Sequence, residues 1–194
     1  MRLRDYLQES IVALESARDA IGQDVMDGAV DTIVTALAKG RALLVCGNGG
    51  SASDAMHITG ELVGRFLKER RALKAICLSD NPVVLTAWSN DYSYETVFAR
   101  QVEAYGEKGA VLLGISTSGT SKNVLLAFEA AAKLEMKTIA LTGEGGEHLD
   151  SQVDYLLAVP SRSTPLIQQV HVCLYHYLCG EIEKRLTTTS GARG

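Results

Sequence analysis

Two short loops constrain this chain more than any other feature. Gly47-Asn48-Gly49-Gly50-Ser51 and Ser116-Thr117-Ser118-Gly119-Thr120-Ser121 each follow a β-rich apolar run, at 41–46 and 110–115, and each precedes a helical pattern. A strand, a tight polar turn and a helix, in that order, form the repeating unit of an open parallel sheet. Strand carboxyl ends and helix amino ends meet there, and unpaired N–H groups favour anions. In the second loop every residue except Gly119 carries a hydroxyl. It lacks the lysine that reaches the β- and γ-phosphates of a nucleotide, so it suits a single phosphate.

The rest of the chain fits that unit. Short β-rich runs near 42–46, 73–78, 110–115, 137–142 and 154–159 alternate with helical patterns near 53–67, 82–90 with 94–105, 121–134 and 164–186. Alternation of this kind predicts an α/β fold, a five-stranded parallel sheet of flavodoxin-like layout covered on both faces. Before it, Leu7, Ile11, Leu14 and Ile21 recur at helical spacing. Val30, Ile33, Val34 and Leu37 follow, with Gly40 placed as a stop. The seam of these first helices could cover the domain or pair with another subunit. The expected organisation is one domain over 1–186, with helices in 1–40, an α/β sandwich in 41–186 and a flexible polar tail at 187–194.

With 194 residues, a net charge of −4 and 22% charged residues, the chain has no basic surface to suggest nucleic acid as its main ligand. Lys68-Glu69-Arg70-Arg71 is short and interrupted, and reads as a solvated loop. No apolar stretch reaches spanning length and no signal peptide opens the chain, so no membrane partner is expected. Cys46, Cys77, Cys173 and Cys179 have no paired-ligand spacing and read as reduced, packed thiols of a cytoplasmic protein.

Several residues could carry chemistry. His57 and Glu61 lie one helical turn apart in the helix after the first loop, so both can face one divalent cation, most naturally zinc. The last helix, opened by Ser163-Thr164-Pro165, carries Gln168, His171 and His176 within an apolar pattern, where a histidine is otherwise a satisfied core residue. Gln168 and His176 are separated by eight positions, roughly 12 Å along an ideal helix. One ion meets both only if the side chains converge, the helix distorts, or another subunit contributes. Asp91, after Asn90, could cap the following helix or line a sugar site. Gly143-Glu144-Gly145-Gly146 reads as a turn or ligand rim. The loose G-x-G-x-x-A match at 47–52 also allows a dinucleotide reading, but the acidic residue expected about 20 positions on is missing.

The segments Cys46-Gly47-Asn48-Gly49-Gly50-Ser51-Ala52-Ser53-Asp54-Ala55-Met56-His57, Ala87-Trp88-Ser89-Asn90-Asp91-Tyr92, Gly114-Ile115-Ser116-Thr117-Ser118-Gly119 and Ile167-Gln168-Gln169-Val170-His171 resemble the phosphoheptose isomerases of the sugar isomerase (SIS) fold. That resemblance implies isomerisation of sedoheptulose 7-phosphate to an aldoheptose phosphate by a homotetramer with active sites between subunits. By it, Asn48, Gly49, Gly50 and Ser51 contact substrate, and Ser116, Thr117, Ser118 and Ser121 hold its phosphate. Asn90 and Asp91 line the sugar site. His57, Glu61, Gln168 and His176 bind one zinc per subunit, Gln168 also meeting substrate, with Glu61 and His176 as the acid/base pair. Pro165 stands where some members carry an acidic residue. The alternative function is a non-catalytic phosphosugar-binding protein or DnaA-binding adaptor of the same fold; the adaptor lacks the histidine matching His176.

Overall fold

Leu43–Gly47 forms β1, and every residue in it is buried, as an interior strand of a parallel sheet requires. A computed structural model describes residues 1–190. Two helices, α1 (Leu3–Ala20) and α2 (Gln23–Ala38), precede β1. After it come α3 (Gly50–Val63), β2 (Ala75–Cys77), α4 (Pro82–Asp91), a 3-10 turn (Tyr94–Thr96) and α5 (Val97–Tyr105). Then follow β3 (Val111–Ser116), α6 (Lys122–Lys133), β4 (Lys137–Gly143), a 3-10 turn (Glu144–Leu149), β5 (Tyr155–Val159) and α7 (Thr164–Ser190). The five strands are all parallel, in the order β2-β1-β3-β4-β5. The expected sheet is therefore present, in the flavodoxin-like order.

Alternate side chains of each strand feed two cores. Leu43 and Val45 join Ile33 and Leu37 of α2, Ala55, Ile58 and Leu62 of α3, and Tyr175 of α7. Leu44 and Cys46 join Phe98 and Val102 of α5 and Val124, Ala127 and Phe128 of α6. This division follows from the two-residue period of a strand. The helix after β1 thus packs on one face, and the helix after β3 on the other.

Some boundaries and roles differ from expectation. Helix α3 starts at Gly50, directly from the loop, because Gly49 is itself the N-cap (φ +54°). Asn90 and Asp91 are the last residues of α4, so Asp91 caps nothing; Ser93 Oγ accepts from Glu95 N at 3.1 Å and opens the 3-10 turn. Residues 187–190 continue α7 instead of forming a tail, and 191–194 lie outside the described residues. Helix α1 buries only its small Ala13 and Ala17, while Leu7, Ile11 and Leu14 stay exposed. Cys46, Cys77 and Cys179 are packed as expected, whereas Cys173 is exposed.

Within the basic cluster Lys68, Glu69 and Arg71 are exposed on a loop as expected, but the Arg70 side chain is not. The Arg70 side chain is 4% exposed and pairs with Glu183 at 3.1 Å, Nε to Oε1. The same guanidinium donates to the carbonyls of Glu61, Leu62, Gly64 and Arg71. Glu183 in turn accepts from the backbone N–H groups of Phe66, Leu67 and Lys68 at 3.0, 2.7 and 2.7 Å. Burial pushes the Glu183 carboxyl up, but those three donors and Arg70 outweigh it and hold it below its ordinary value. A compact clamp therefore ties the segment after α3 to α7.

Two stability outcomes follow. Glu183→Ala strands the buried Arg70 charge and three N–H groups and should cost about 3–5 kcal/mol in urea unfolding. His171 is wholly buried, with Nε2 at 3.0 Å from the Thr142 carbonyl oxygen, and burial pulls its pKa down to about 4 despite that contact. Below its ordinary value of about 6.5 the unfolded chain takes a proton that the folded chain refuses. Stability should therefore fall as pH drops from about 6.5 towards 4, by up to roughly 3 kcal/mol. Unfolding of His171→Asn should lose that part of the pH dependence.

Candidate active site

Because β1 pairs directly with β3 while β2 lies on its other side, the sheet order reverses between β1 and β3. Ligands of open α/β sheets bind at such a switch point. Both polar loops leave the sheet there. The two are joined by a reciprocal amide pair: Asn48 Nδ2 donates to Asn123 Oδ1, and Asn123 Nδ2 donates to Asn48 Oδ1, each at 2.9 Å. Tyr94 OH donates to the same Asn48 oxygen at 2.7 Å, which brings the 3-10 turn onto the first loop. Asn123 and Tyr94 were not among the sequence candidates. Asn123, in the first turn of the helix after the hydroxyl loop, was the readable signal.

The second loop is a ring of hydroxyls around a helix amino end. Ser116 Oγ donates to Ser121 Oγ at 2.9 Å, and Ser118 Oγ accepts from Thr120 N at 3.2 Å and Thr120 Oγ1 at 3.0 Å. Ser121 is the N-cap of α6, but its side chain caps none of the first-turn N–H groups. Val124 N bonds the Ser121 carbonyl at 2.9 Å, which leaves the N–H groups of Lys122 and Asn123 for an anion. Gly119 has φ +70°, and a Cβ there would meet the Gly146 backbone. Only glycine therefore lets the turn after β4, Gly143-Glu144-Gly145-Gly146, close on this loop. Thr117 contributes its carbonyl to Gly143 N at 3.1 Å.

The first loop presents Gly49 and Gly50 at the start of α3, whereas Ser51 is buried against Gly47. Asn90 and Asp91 are exposed at the end of α4, Asn90 Nδ2 donating to Asp91 Oδ1 at 2.9 Å.

Farther along α3, His57 Nε2 and Glu61 Oε1 are 3.1 Å apart. The His176 ring lies edge-on to His57, centroids 5.1 Å apart, and also packs on Phe66. The Gln168 amide lies over Gly50, where a Cβ would collide with it, at the amino end of α3 and about two helical turns before His57. The described residues thus bring together His57, Glu61 and His176, and keep Gln168 with the first loop. An imidazole nitrogen and a carboxylate oxygen facing one another are a donor set that fits zinc. Among the described residues, no group of three His, Cys, Asp or Glu is placed to hold a metal within one chain.

Two further polar groups surround His57. Tyr175 OH lies 2.9 Å from its Nδ1, and Asp54 sits beside Tyr175. Burial, then the Asp54 charge, push the tyrosine up to about 12, so its hydroxyl keeps its proton. Burial pushes the Asp54 carboxyl up to about 6, against the pull of His57 and Tyr175. Both residues were missed in the sequence, although Asp54, His57 and Glu61 share one helix face by their three- and four-residue spacing.

This fold, with its phosphate-type loop at the switch point, defines a sugar isomerase domain. The SIS domain family model matches residues 5–143. A phosphoheptose isomerase from Crocosphaera subtropica is 45% identical over 186 residues, covering 96% of this chain and 95% of its own length. One from Helicobacter pylori is 49% identical over 172 residues, 89% of each chain. The solved structure of a phosphoheptose isomerase from Francisella tularensis superposes with a TM-score of 0.89 at 39% identity, over 94% of this chain and 96% of that one. The chain belongs to the phosphoheptose isomerase family of SIS-domain proteins.

The hydroxyl ring yields a direct prediction. Ser118→Ala and Ser121→Ala should each weaken phosphosugar binding by roughly tenfold, about 1–1.5 kcal/mol, in calorimetric titration. Binding of the unphosphorylated sugar should not change.

Proposed function

We propose that this protein is an isomerase that interconverts sedoheptulose 7-phosphate and D-glycero-D-manno-heptose 7-phosphate, the entry to nucleotide-activated heptose. The observation that carries the reading is the whole-length identity to phosphoheptose isomerases in a chain whose His57, Glu61 and His176 lie together. In this reading Ser116, Thr117, Ser118, Ser121 and the amino end of α6 bind the phosphate. That group does not react, so its binding energy fixes C1 and C2 in place. Gly49, Gly50 and the Asn48 backbone approach the sugar, and Asn90 and Asp91 line its outer side.

The reaction moves a proton between C1 and C2 through an enediol while the oxygens exchange protons. Glu61 is the carbon base. Its Oε1 faces His57, so Oε2 is the oxygen assigned to take the proton. His176 shuttles the proton between the substrate oxygens, a role suited to an imidazole near neutral pH. His57, Glu61, Gln168 and His176 are the assigned zinc ligands, one ion per subunit. When bound, zinc supplies Lewis-acid polarisation of the substrate carbonyl. The separation of Gln168 from His57 in one chain supports a site completed by a neighbouring copy. The exposed apolar stripe of Leu7, Ile11 and Leu14 on α1 supports association into a homotetramer. Among the described residues, no helix is long and apolar enough to cross a membrane, and the reading places the enzyme in the cytoplasm.

Proton and phosphorus NMR of sedoheptulose 7-phosphate incubated with zinc-loaded protein in D₂O should show an aldoheptose phosphate with deuterium introduced at carbon. Glu61→Gln and His176→Ala should each lower turnover by about 10²–10⁴-fold. Phosphosugar binding without any conversion would favour the binding-only alternative.

A further inference from the structure

The 3-10 turn Tyr94–Thr96 sends three successive side chains to three different elements of the site. Tyr94 OH donates to Asn48 Oδ1 of the first loop at 2.7 Å. Glu95 Oε1 accepts from Nζ of Lys122, the first residue of α6, at 3.0 Å. Thr96 Oγ1 accepts from Trp88 Nε1 at 2.8 Å, on the helix that ends with Asn90 and Asp91. At three residues per turn, neighbouring side chains leave the axis roughly 120° apart, which lets one short turn reach in three directions. Ser93 fixes the turn itself. Its Oγ accepts from Glu95 N at 3.1 Å, and its carbonyl accepts from Thr96 Oγ1 at 3.2 Å.

These ties lie where folding depends little on them. Tyr94 is 50% exposed, and the Lys122 and Glu95 side chains are 69% and 50% exposed. An exposed ion pair adds little to stability. What the ties fix is relative position. Asn48 Oδ1 takes one proton from Tyr94 and another from the buried Asn123, which fills both of its lone pairs. The Asn48 side chain thus holds the first loop to the turn and to α6 together. On the other side of the cleft, Lys122 directly follows Ser121 of the hydroxyl ring.

We propose that Tyr94 and Glu95 are positioning residues that hold the first loop at a set distance from the amino end of α6, and so set where C1 and C2 lie once the phosphate is seated. This role rests on the phosphosugar reading above. A ligand that spans two subsites gains from both only when their separation matches its length. A shift of about 1 Å at the reacting carbons is enough to cost roughly 10²-fold in rate. Inorganic phosphate occupies one subsite alone and does not sense the separation.

The test compares Kd for sedoheptulose 7-phosphate with Kd for inorganic phosphate by calorimetry, beside kcat and melting temperature, in wild type, Tyr94→Phe, Glu95→Ala and Lys122→Ala. Phenylalanine keeps the ring and removes only the hydroxyl. Glu95→Ala and Lys122→Ala change the local charge in opposite senses, so a change common to both reports the tie and not the charge. Each variant should stay folded, and the affinity advantage of the phosphosugar over inorganic phosphate should fall by roughly tenfold. Inorganic phosphate should bind Tyr94→Phe as it binds wild type, while kcat drops by roughly 10–100-fold. An unchanged advantage in folded Tyr94→Phe would overturn the proposal, as would opposite effects of Glu95→Ala and Lys122→Ala. If wild type binds the phosphosugar without converting it, loss of the advantage in the variants upholds the positioning role and removes the isomerase reading. A wild type that binds neither ligand overturns both.

Discussion

The pairing of β1 with β3 is the constraint on which the site depends. Five register positions, from Leu43 against Val111 to Gly47 against Ile115, set the carboxyl ends of the two strands level. The helices that follow then diverge, α3 into the core with Leu43 and Val45, and α6 into the core with Leu44 and Cys46. Divergence leaves two helix amino ends side by side with no strand between them. The first N–H groups of the two helices lie at one cleft, and helix amino ends so placed suit an anion. The Asn48–Asn123 amide pair closes the gap between the loops and holds them as one surface.

Helix α7 supplies the second half of the site and much of its rigidity. Along one stripe it puts Gln168 over Gly50, His171 against the Thr142 carbonyl, Tyr175 against His57 and Glu183 under the segment after α3. The spacing of these residues follows the helical period, so a single helix both anchors the sheet and faces α3. The Arg70–Glu183 clamp matters for the same reason. Arg70 donates to the Glu61 and Leu62 carbonyls at the end of α3, so the ion pair fixes the helix that carries His57 and Glu61 relative to the one that carries His176. Stability and the placement of His57, Glu61 and His176 here share the same contacts.

The sheet was legible because its signals are local. Apolar runs of strand length alternated with helical periods, and the loops carried the residues that the turns require. The hydroxyl ring was legible for the same reason, being contiguous in sequence. Misreadings came where a distant partner decides the outcome. Arg70 looked solvated because Glu183, its counter-ion, lies far along the chain. Asp91 looked like a cap, but the preceding helix runs through it and Ser93 takes that role. Spacing alone left open whether the apolar residues of α1 cover the domain or face another subunit; the helix packs through Ala13 and Ala17 and leaves the larger side chains outside.

The sequence by itself determined the parallel α/β order, the two polar loops, the His57–Glu61 turn and the resemblance to phosphoheptose isomerases, since each is written in spacings of a few residues. Only the tertiary structure decided which helices meet. It brought His176 and Tyr175 to His57, left Gln168 at the first loop, and joined Asn48 to Asn123. Such contacts depend on how long elements cross and pack in three dimensions, and no local period in the chain encodes that crossing.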